Sequence, residues 1–261
     1  MVRTQSINPG RLLKDTFRTI GSIYIPLLVF GLSELAVLAA ICLGTLIGAL
    51  IGAPLITVLT ILLRLIFSRW VCSAVIYYTY QYLSGNRISI GSAFRRARSQ
   101  TRRLILLILG YLILGYFLLL LTSISAPYLL IILIIPGIYL SVRLGFVLHG
   151  ITVDNLSFTR GIRHSWNLVK GHWWSTFIAM IVVLIVSLIF LTPIYVGIFL
   201  IGATLIPDSA NSQVISIFRF TGVSVVFVFI YLVIAPFMTV YDTLLYKFLR
   251  ANKNKSNQLP S

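Results

Sequence analysis

The sequence predicts an all-α fold, a polytopic membrane bundle of six transmembrane helices arranged as three hairpins with interfacial amphipathic helices. Three observations predict it. Apolar residues make up 59% of the 261 and charged ones only 10%, with a mean hydropathy of +1.01. A soluble domain carries roughly 25% charged residues, and a sphere of this size cannot hide so much apolar surface from water. Six runs are apolar enough, and near enough to the ~20 residues a helix needs, to cross a bilayer. Lysine and arginine, finally, crowd into alternate connections between those runs. The composition excludes a soluble enzyme, a disordered chain and a secreted disulfide scaffold.

The runs are 20–43, 54–83, 104–121, 127–147, 174–198 and 214–249. Helices satisfy their own backbone in lipid, which makes them the natural reading of each run. The last is too long for an untilted span, so its ends project or tilt. Residues 1–250 read as one six-span membrane domain and 251–261, polar and rich in Asn, Lys and Ser, as a disordered cytoplasmic tail. A lead of some twenty polar residues holding Asp15 is unlike a cleavable signal peptide. Cys42 and Cys72 fall inside spans without C-x-x-C spacing, so disulfide and metal chemistry are not indicated.

Arg3, Arg11, Lys14 and Arg18 precede the first span. Arg87, Arg95, Arg96, Arg98, Arg102 and Arg103 lie between the second and third, and Arg143, Arg160, Arg163 and Lys170 about the loop after the fourth. Lys247, Arg250, Lys253 and Lys255 come last. These are eighteen of the 21 basic residues. The opposite connections, 44–53, 122–126 and 207–213, have none. Basic residues in short loops stay cytoplasmic, so both termini are expected inside. The net charge of +16 is thereby explained by membrane anchors rather than by nucleic acid, for which no groove-reading motif is present. The expected lipid partners are anionic headgroups, each surface cation contributing about 1 kcal/mol.

A basic amphipathic lead precedes each odd-numbered span, at 9–18, 91–98 and 159–171. Superposed, Lys14, Arg95 and Arg163 follow Leu13, Phe94 and Ile162, and two residues later come the small Thr16, Ala97 and Ser165. Such stretches suit helices lying in the interface, and the chain reads as three copies of an interfacial helix plus a hairpin. The candidate basic face for lipid or partner comprises Lys14, Arg95, Arg96, Arg98, Arg163 and Lys170.

The stretch Pro136-Gly137-Ile138-Tyr139-Leu140-Ser141-Val142-Arg143, followed by Ile162-Arg163-His164-Ser165-Trp166-Asn167-Leu168-Val169-Lys170-Gly171-His172-Trp173-Trp174, carries a family resemblance. It resembles the P-G-x-Y-x-x-x-R and A-x-x-x-S-W-x-L-x-x-G-x-x-W signatures of the glycerophosphoryl diester phosphodiesterase membrane-domain family and its free-standing bacterial relatives. The motif residues are Pro136, Gly137, Tyr139, Arg143, Ser165, Trp166, Gly171 and Trp174. Members often carry an acid near the end of the fourth span; Asp154 is the nearest here, with His149 inside that stretch. The resemblance implies a non-catalytic membrane domain of the bacterial cytoplasmic (inner) membrane, or an internal membrane continuous with it. In fused relatives the hydrolase is a separate soluble barrel.

The residues themselves argue against catalysis. The acids are Asp15, Glu34, Asp154, Asp208 and Asp242, and the histidines His149, His164 and His172. Metal-assisted hydrolysis needs carboxylates and imidazoles gathered about an ion, and His164 and His172 stand over two helical turns apart. His164 and Ser165 are neighbours, and adjacent helical residues do not face each other. No Walker loop, H-E-x-x-H or G-x-S-x-G is present. No catalytic residue, cofactor or metal is expected.

Ionisable residues at mid-depth are functional candidates. Glu34 in the first span and Arg64 and Arg69 in the second can reach similar depths from opposite faces, so Glu34 is expected to pair with one of the arginines. The pair fixes the first hairpin, or else serves as a gate or a site for an anionic headgroup. Gly44, Gly48 and Gly52 either let helices approach or form the outer turn, and the turn is the favoured reading. Pro136-Gly137 is expected to break the fourth span, with kinks at Pro193 and Pro236. The leading functional expectation is a module that binds or scaffolds a partner membrane protein. The alternative is a carrier or channel for a small or lipid-like solute, with Glu34, Arg64, Arg69 and Arg143 near the path.

Overall fold

A computed structural model describes residues 7–50, 52–124, 127–205, 226 and 228–257. The chain forms helices α1 (Pro9–Leu50), α2 (Pro54–Leu83), α3 (Ile90–Ser99), α4 (Thr101–Ile124), α5 (Pro127–Leu144), α6 (Val147–Thr152), α7 (Phe158–Val169) and α8 (Trp173–Leu205). A π-helical turn, Ile230–Ile234, then leads into α9 (Ala235–Asn257). Among the described residues there is no strand. Among the described residues five stretches are long and apolar enough to cross a membrane: Pro9–Gly44, Val58–Leu83, Ile135–Thr152, Trp173–Ile194 and Leu232–Asn254. The basic helix α3 and the first part of α4 make a sixth if taken as one broken span, bent by 65°. The expected connection 207–213 and the start of the last run lie outside the described residues.

Local chemistry explains where the helices begin, bend and stop. Proline at the start of α2 suits a first turn whose N–H groups have no helical partner. Gly85, with φ 83°, ends that helix in a conformation that costs other residues a steric clash. In α1 the helix is non-helical at Ile23, with φ −122° and ψ 24°. Pro26 explains this, because its ring crowds the carbonyl of Ser22 and it donates no hydrogen bond. Gly171, at φ 85°, separates α7 from α8. Each basic lead is therefore helical and each is followed by a kink, a bend or a break.

The three leads also share one burial register. Lys14, Arg95 and Arg163 are exposed. Two residues before them Leu12, Ala93 and Gly161 are buried, and two residues after them so are Thr16, Ala97 and Ser165. Five residues after, Thr19, Gln100 and Leu168 are buried as well. These offsets repeat at helical spacing, so each lead turns the same stripe inward.

Several expectations need correction. Pro136 lies inside a continuous α5, and the chain instead breaks at Gly145 and Phe146, between α5 and α6. Pro193 lies inside a continuous α8. One missing hydrogen bond is tolerated in a membrane helix; of these three prolines it is Pro236 that follows an irregular stretch, the π turn. Residues 251–257 are helical rather than disordered, anchored by Asn252, which is buried. Gly52 does turn the chain at φ 65°, but Gly44 is a helix contact: a Cβ there would stand 2.8 Å from Thr60 Cγ2 of α2.

Packing is concentrated at the basic end. The described buried residues of α1 lie between Leu12 and Gly31, those of α2 between Val71 and Thr79, and those of α4 between Leu104 and Ile108. α9 runs through this core, its Tyr241, Leu245, Tyr246 and Leu249 packing against Leu12, Phe146, Leu168 and Val183. Beyond it the helices carry exposed apolar side chains, such as Leu62 and Leu63 on α2 and Leu188 and Ile189 on α8.

Candidate functional site

Two polar centres are built into the bundle. The first gathers the motif residues at the joint between α5, α6 and α7. Where the chain breaks after α5, a carbonyl and an N–H lose their helical partners. Ser165 supplies both: its hydroxyl donates to the Arg143 carbonyl at 2.6 Å and accepts from the Phe146 N–H at 3.2 Å. Arg143 reaches the Trp166 carbonyl at 2.9 Å and the Tyr139 hydroxyl at 3.2 Å. Its guanidinium lies 4.8 Å from the Trp166 ring centre and 5.2 Å from that of Tyr139, within the range of cation–π attraction. Tyr139 stacks on Trp173 at 5.6 Å, and Trp173 meets Trp174 edge-on at 4.8 Å. Gly171 supplies the turn between α7 and α8. Tyr139, Arg143, Ser165, Trp166, Gly171 and Trp174 thus form one latch, while Pro136 and Gly137 lie earlier in α5.

Asp154 extends this centre. It sits in the connection before α7 and forms an ion pair with Arg250 of α9 at 2.7 Å. The Tyr246 hydroxyl donates to its other oxygen. His164 Nε2 lies 3.0 Å from that hydroxyl and 3.5 Å from the carboxylate. Arg250 donates to the Tyr80 hydroxyl of α2 at 2.7 Å, and Lys247 donates to the Leu83 carbonyl. The next residue, Asn155, adopts φ 57°, a conformation Asn tolerates better than most, and its carbonyl accepts from Arg103 at 2.8 Å. One acid therefore ties α2, α7 and α9 together. Burial pushes the His164 imidazole below its ordinary range; Asp154 pulls the other way, and Lys253 and Arg250 add to the lowering. His149 is buried and stacks on Tyr246 at 5.2 Å.

The second centre lies between α1, α2 and the start of α9, around a cavity of about 160 Å³. Glu34, Ser68, Arg69, Cys72 and Thr239 line it. Glu34 takes its hydrogen bond from Ser68, while Arg64 and Arg69 act on it through their charge. Glu34 and Arg69 meet on one cavity wall, with Arg64 close enough to act on the carboxylate, and no ion pair under 4 Å joins Glu34 to Arg69. Arg69 instead lies 5.8 Å from the ring centre of Tyr111.

Of the expected basic face, Lys14, Arg95, Arg98, Arg163 and Lys170 are exposed. Arg96 is half-buried beside Tyr77, at 5.8 Å from the ring centre. His164 and Ser165 face different partners. Among the described residues no group of three or more His, Cys, Asp or Glu could hold a metal ion. Sequence reasoning missed Tyr246 and Arg250 as partners of Asp154, and Tyr80 as the partner of Arg250; no local signal marks them, because they lie tens of residues away in the chain.

Residues 113–260 match the family described as the membrane domain of glycerophosphoryl diester phosphodiesterase. Among curated proteins and among solved structures nothing matches the chain. The family match takes in Pro136 to Trp174, Asp154 and its partners on α9, and covers more than half of the 261 residues. The chain belongs to that family and is itself a multi-pass, all-helical membrane domain.

Proposed function

We propose that the domain works inside the bilayer as a docking module, binding a partner membrane protein that it scaffolds or helps to assemble. The supporting observation is the stretch 112–117 of α4, where every described side chain is exposed. A helix of a self-sufficient bundle turns one stripe toward its neighbours. The five described residues there, 112, 113, 115, 116 and 117, spread over more than half of the helix circumference at 3.6 residues per turn, wider than a single stripe. Gly115 meets nothing within 4 Å, which leaves room for another backbone, and Tyr116 and Phe117 beside it are large and exposed. Helices associate in lipid by such close packing and not by escape from water.

In this reading both termini and the basic leads face the cytoplasm, and Lys14, Arg95, Arg98, Arg163 and Lys170 rest on anionic headgroups. A carrier would need Arg143 on one route with Glu34, Arg64 and Arg69. Arg143 is instead engaged with Tyr139 and Trp166 and is absent from the lining of the Glu34 cavity.

Photo-crosslinking in whole membranes tests the proposal. A crosslinking residue at Leu112 or Phe117 is expected to yield one discrete adduct, with the same second protein at both sites and none from Ile189 of α8. Adducts with lipid alone, or with another copy of this chain, overturn it.

A further inference from the structure

We infer that the cavity between α1, α2 and α9 is a headgroup site for an aminophospholipid, its phosphate toward Arg69 and its primary amine toward Glu34. The inference is independent of the partner proposed above. Opposite charges in a medium of low dielectric attract strongly, so a carboxylate and a guanidinium on one cavity should close upon each other. Glu34 and Arg69 line the same space of about 160 Å³ without an ion pair under 4 Å. A ligand with both charges can meet both groups at once, its amine joining Ser68 and the charge of Arg64 at the Glu34 carboxylate, whereas an anion alone would bring a second negative charge against it.

Depth supports a lipid as the source. Phe30, one turn before Glu34, packs on Phe94 of the basic helix α3 at 5.2 Å. Trp70, next to Arg69, donates to Thr101 at the α3–α4 bend at 3.1 Å. The cavity therefore lies within about one helical turn, some 5 Å, of the level at which the basic helix bends into the span. With the basic leads resting on headgroups, as proposed above, that level is the boundary between headgroups and acyl chains. Beyond it, Leu32 and Leu63 are exposed and apolar, a surface along which the chains of such a lipid can run.

The recognition chemistry selects the amine. Ser68 occupies part of the Glu34 carboxylate, and the remaining lone pairs accept N–H donors, which a quaternary ammonium lacks. The wall opposite is formed by the start of α9, where Pro236 and Thr239 follow the π turn. Such turns are frequent at functional sites.

Native mass spectrometry of protein reconstituted from vesicles of phosphatidylethanolamine, phosphatidylcholine and phosphatidylglycerol in equal parts tests the inference. The wild type is expected to retain one lipid, phosphatidylethanolamine over each of the others by about tenfold, the effect of one charge-assisted hydrogen bond. Glu34→Gln should abolish that preference, and Arg69→Gln should lower retention of all three. Thr239→Leu, which fills the cavity and removes no charge, should abolish retention while the unfolding temperature is kept, which separates loss of the site from loss of the fold. Equal retention of the three lipids by the wild type, or retention unchanged in Thr239→Leu, overturns the inference. Displacement of the bound lipid by an equal concentration of soluble phosphoethanolamine overturns the lipid as the ligand.

Discussion

Along α4, Leu104 has no exposed surface while Leu112, about two turns on, is 44% exposed, and α1, α2 and α8 change in the same sense. At the basic end side chains interlock across many helices, and hydrogen bonds tie the connections down. At the outer end α1 and α2 still touch, at Gly44 and Thr60, but many of the described apolar side chains there are exposed, such as Leu62, Leu63, Leu112, Leu188 and Ile189. The difference teaches that composition alone does not say what an apolar residue does in a membrane protein. The same leucine is a piece of core at one height and a surface for lipid or a partner helix at another.

The sharpest way to break this comparison is the same substitution at both heights. Leu104→Ala is expected to cost about 3 to 4 kcal/mol, the transfer and cavity loss of a buried leucine. Leu112→Ala should stay within about 0.5 kcal/mol. Reversible unfolding in bicelles measures both, and equal losses would erase the distinction between the two ends.

Next in size is the acid that clamps the basic end. Asp154→Asn keeps the shape but leaves Arg250 without its ion pair. Breaking a buried pair costs about 3 to 5 kcal/mol. With side chains 13% and 36% exposed for Asp154 and Arg250, solvent reduces the expectation to about 2 to 3 kcal/mol. A loss under 1 kcal/mol in the same assay would mean that the last helix is held by packing alone.

The smallest effect is one of pH. Burial holds His164 below its ordinary range, so between neutrality and acid the unfolded chain binds a proton that the folded one refuses. Stability should therefore fall as pH drops below about 6.5, until the folded imidazole also protonates. His164→Gln should flatten that part of the profile, and an unchanged profile would show that other groups carry it.

How much of this was legible in the sequence depends on the range of the interaction. α2 has the expected bounds of 54 and 83 because Pro54 and Gly85 act locally. The stripe shared by Thr16, Ala97 and Ser165 was visible because helical periodicity is local too. Pro136 misled, since the cost of a proline depends on whether neighbours tolerate one lost hydrogen bond. The convergence of Glu34 with Arg64 and Arg69 followed from rise per residue, but the choice of Ser68 as its partner rests on side-chain packing. The Asp154 centre was out of reach, as its partners are joined by tertiary geometry. The burial of Asn252, which keeps 251–257 helical, is a property of the assembled basic end.

The contacts of α9 bear on the order of synthesis. Lys247 meets Leu83 and Arg250 meets Tyr80 across 164 and 170 residues of chain, and α9 leaves the ribosome after every helix it touches. Until it arrives, Asp154, Tyr80 and the end of α2 wait with polar groups unsatisfied. The early hairpins can thus insert one by one, but the basic end closes only as a last, collective act.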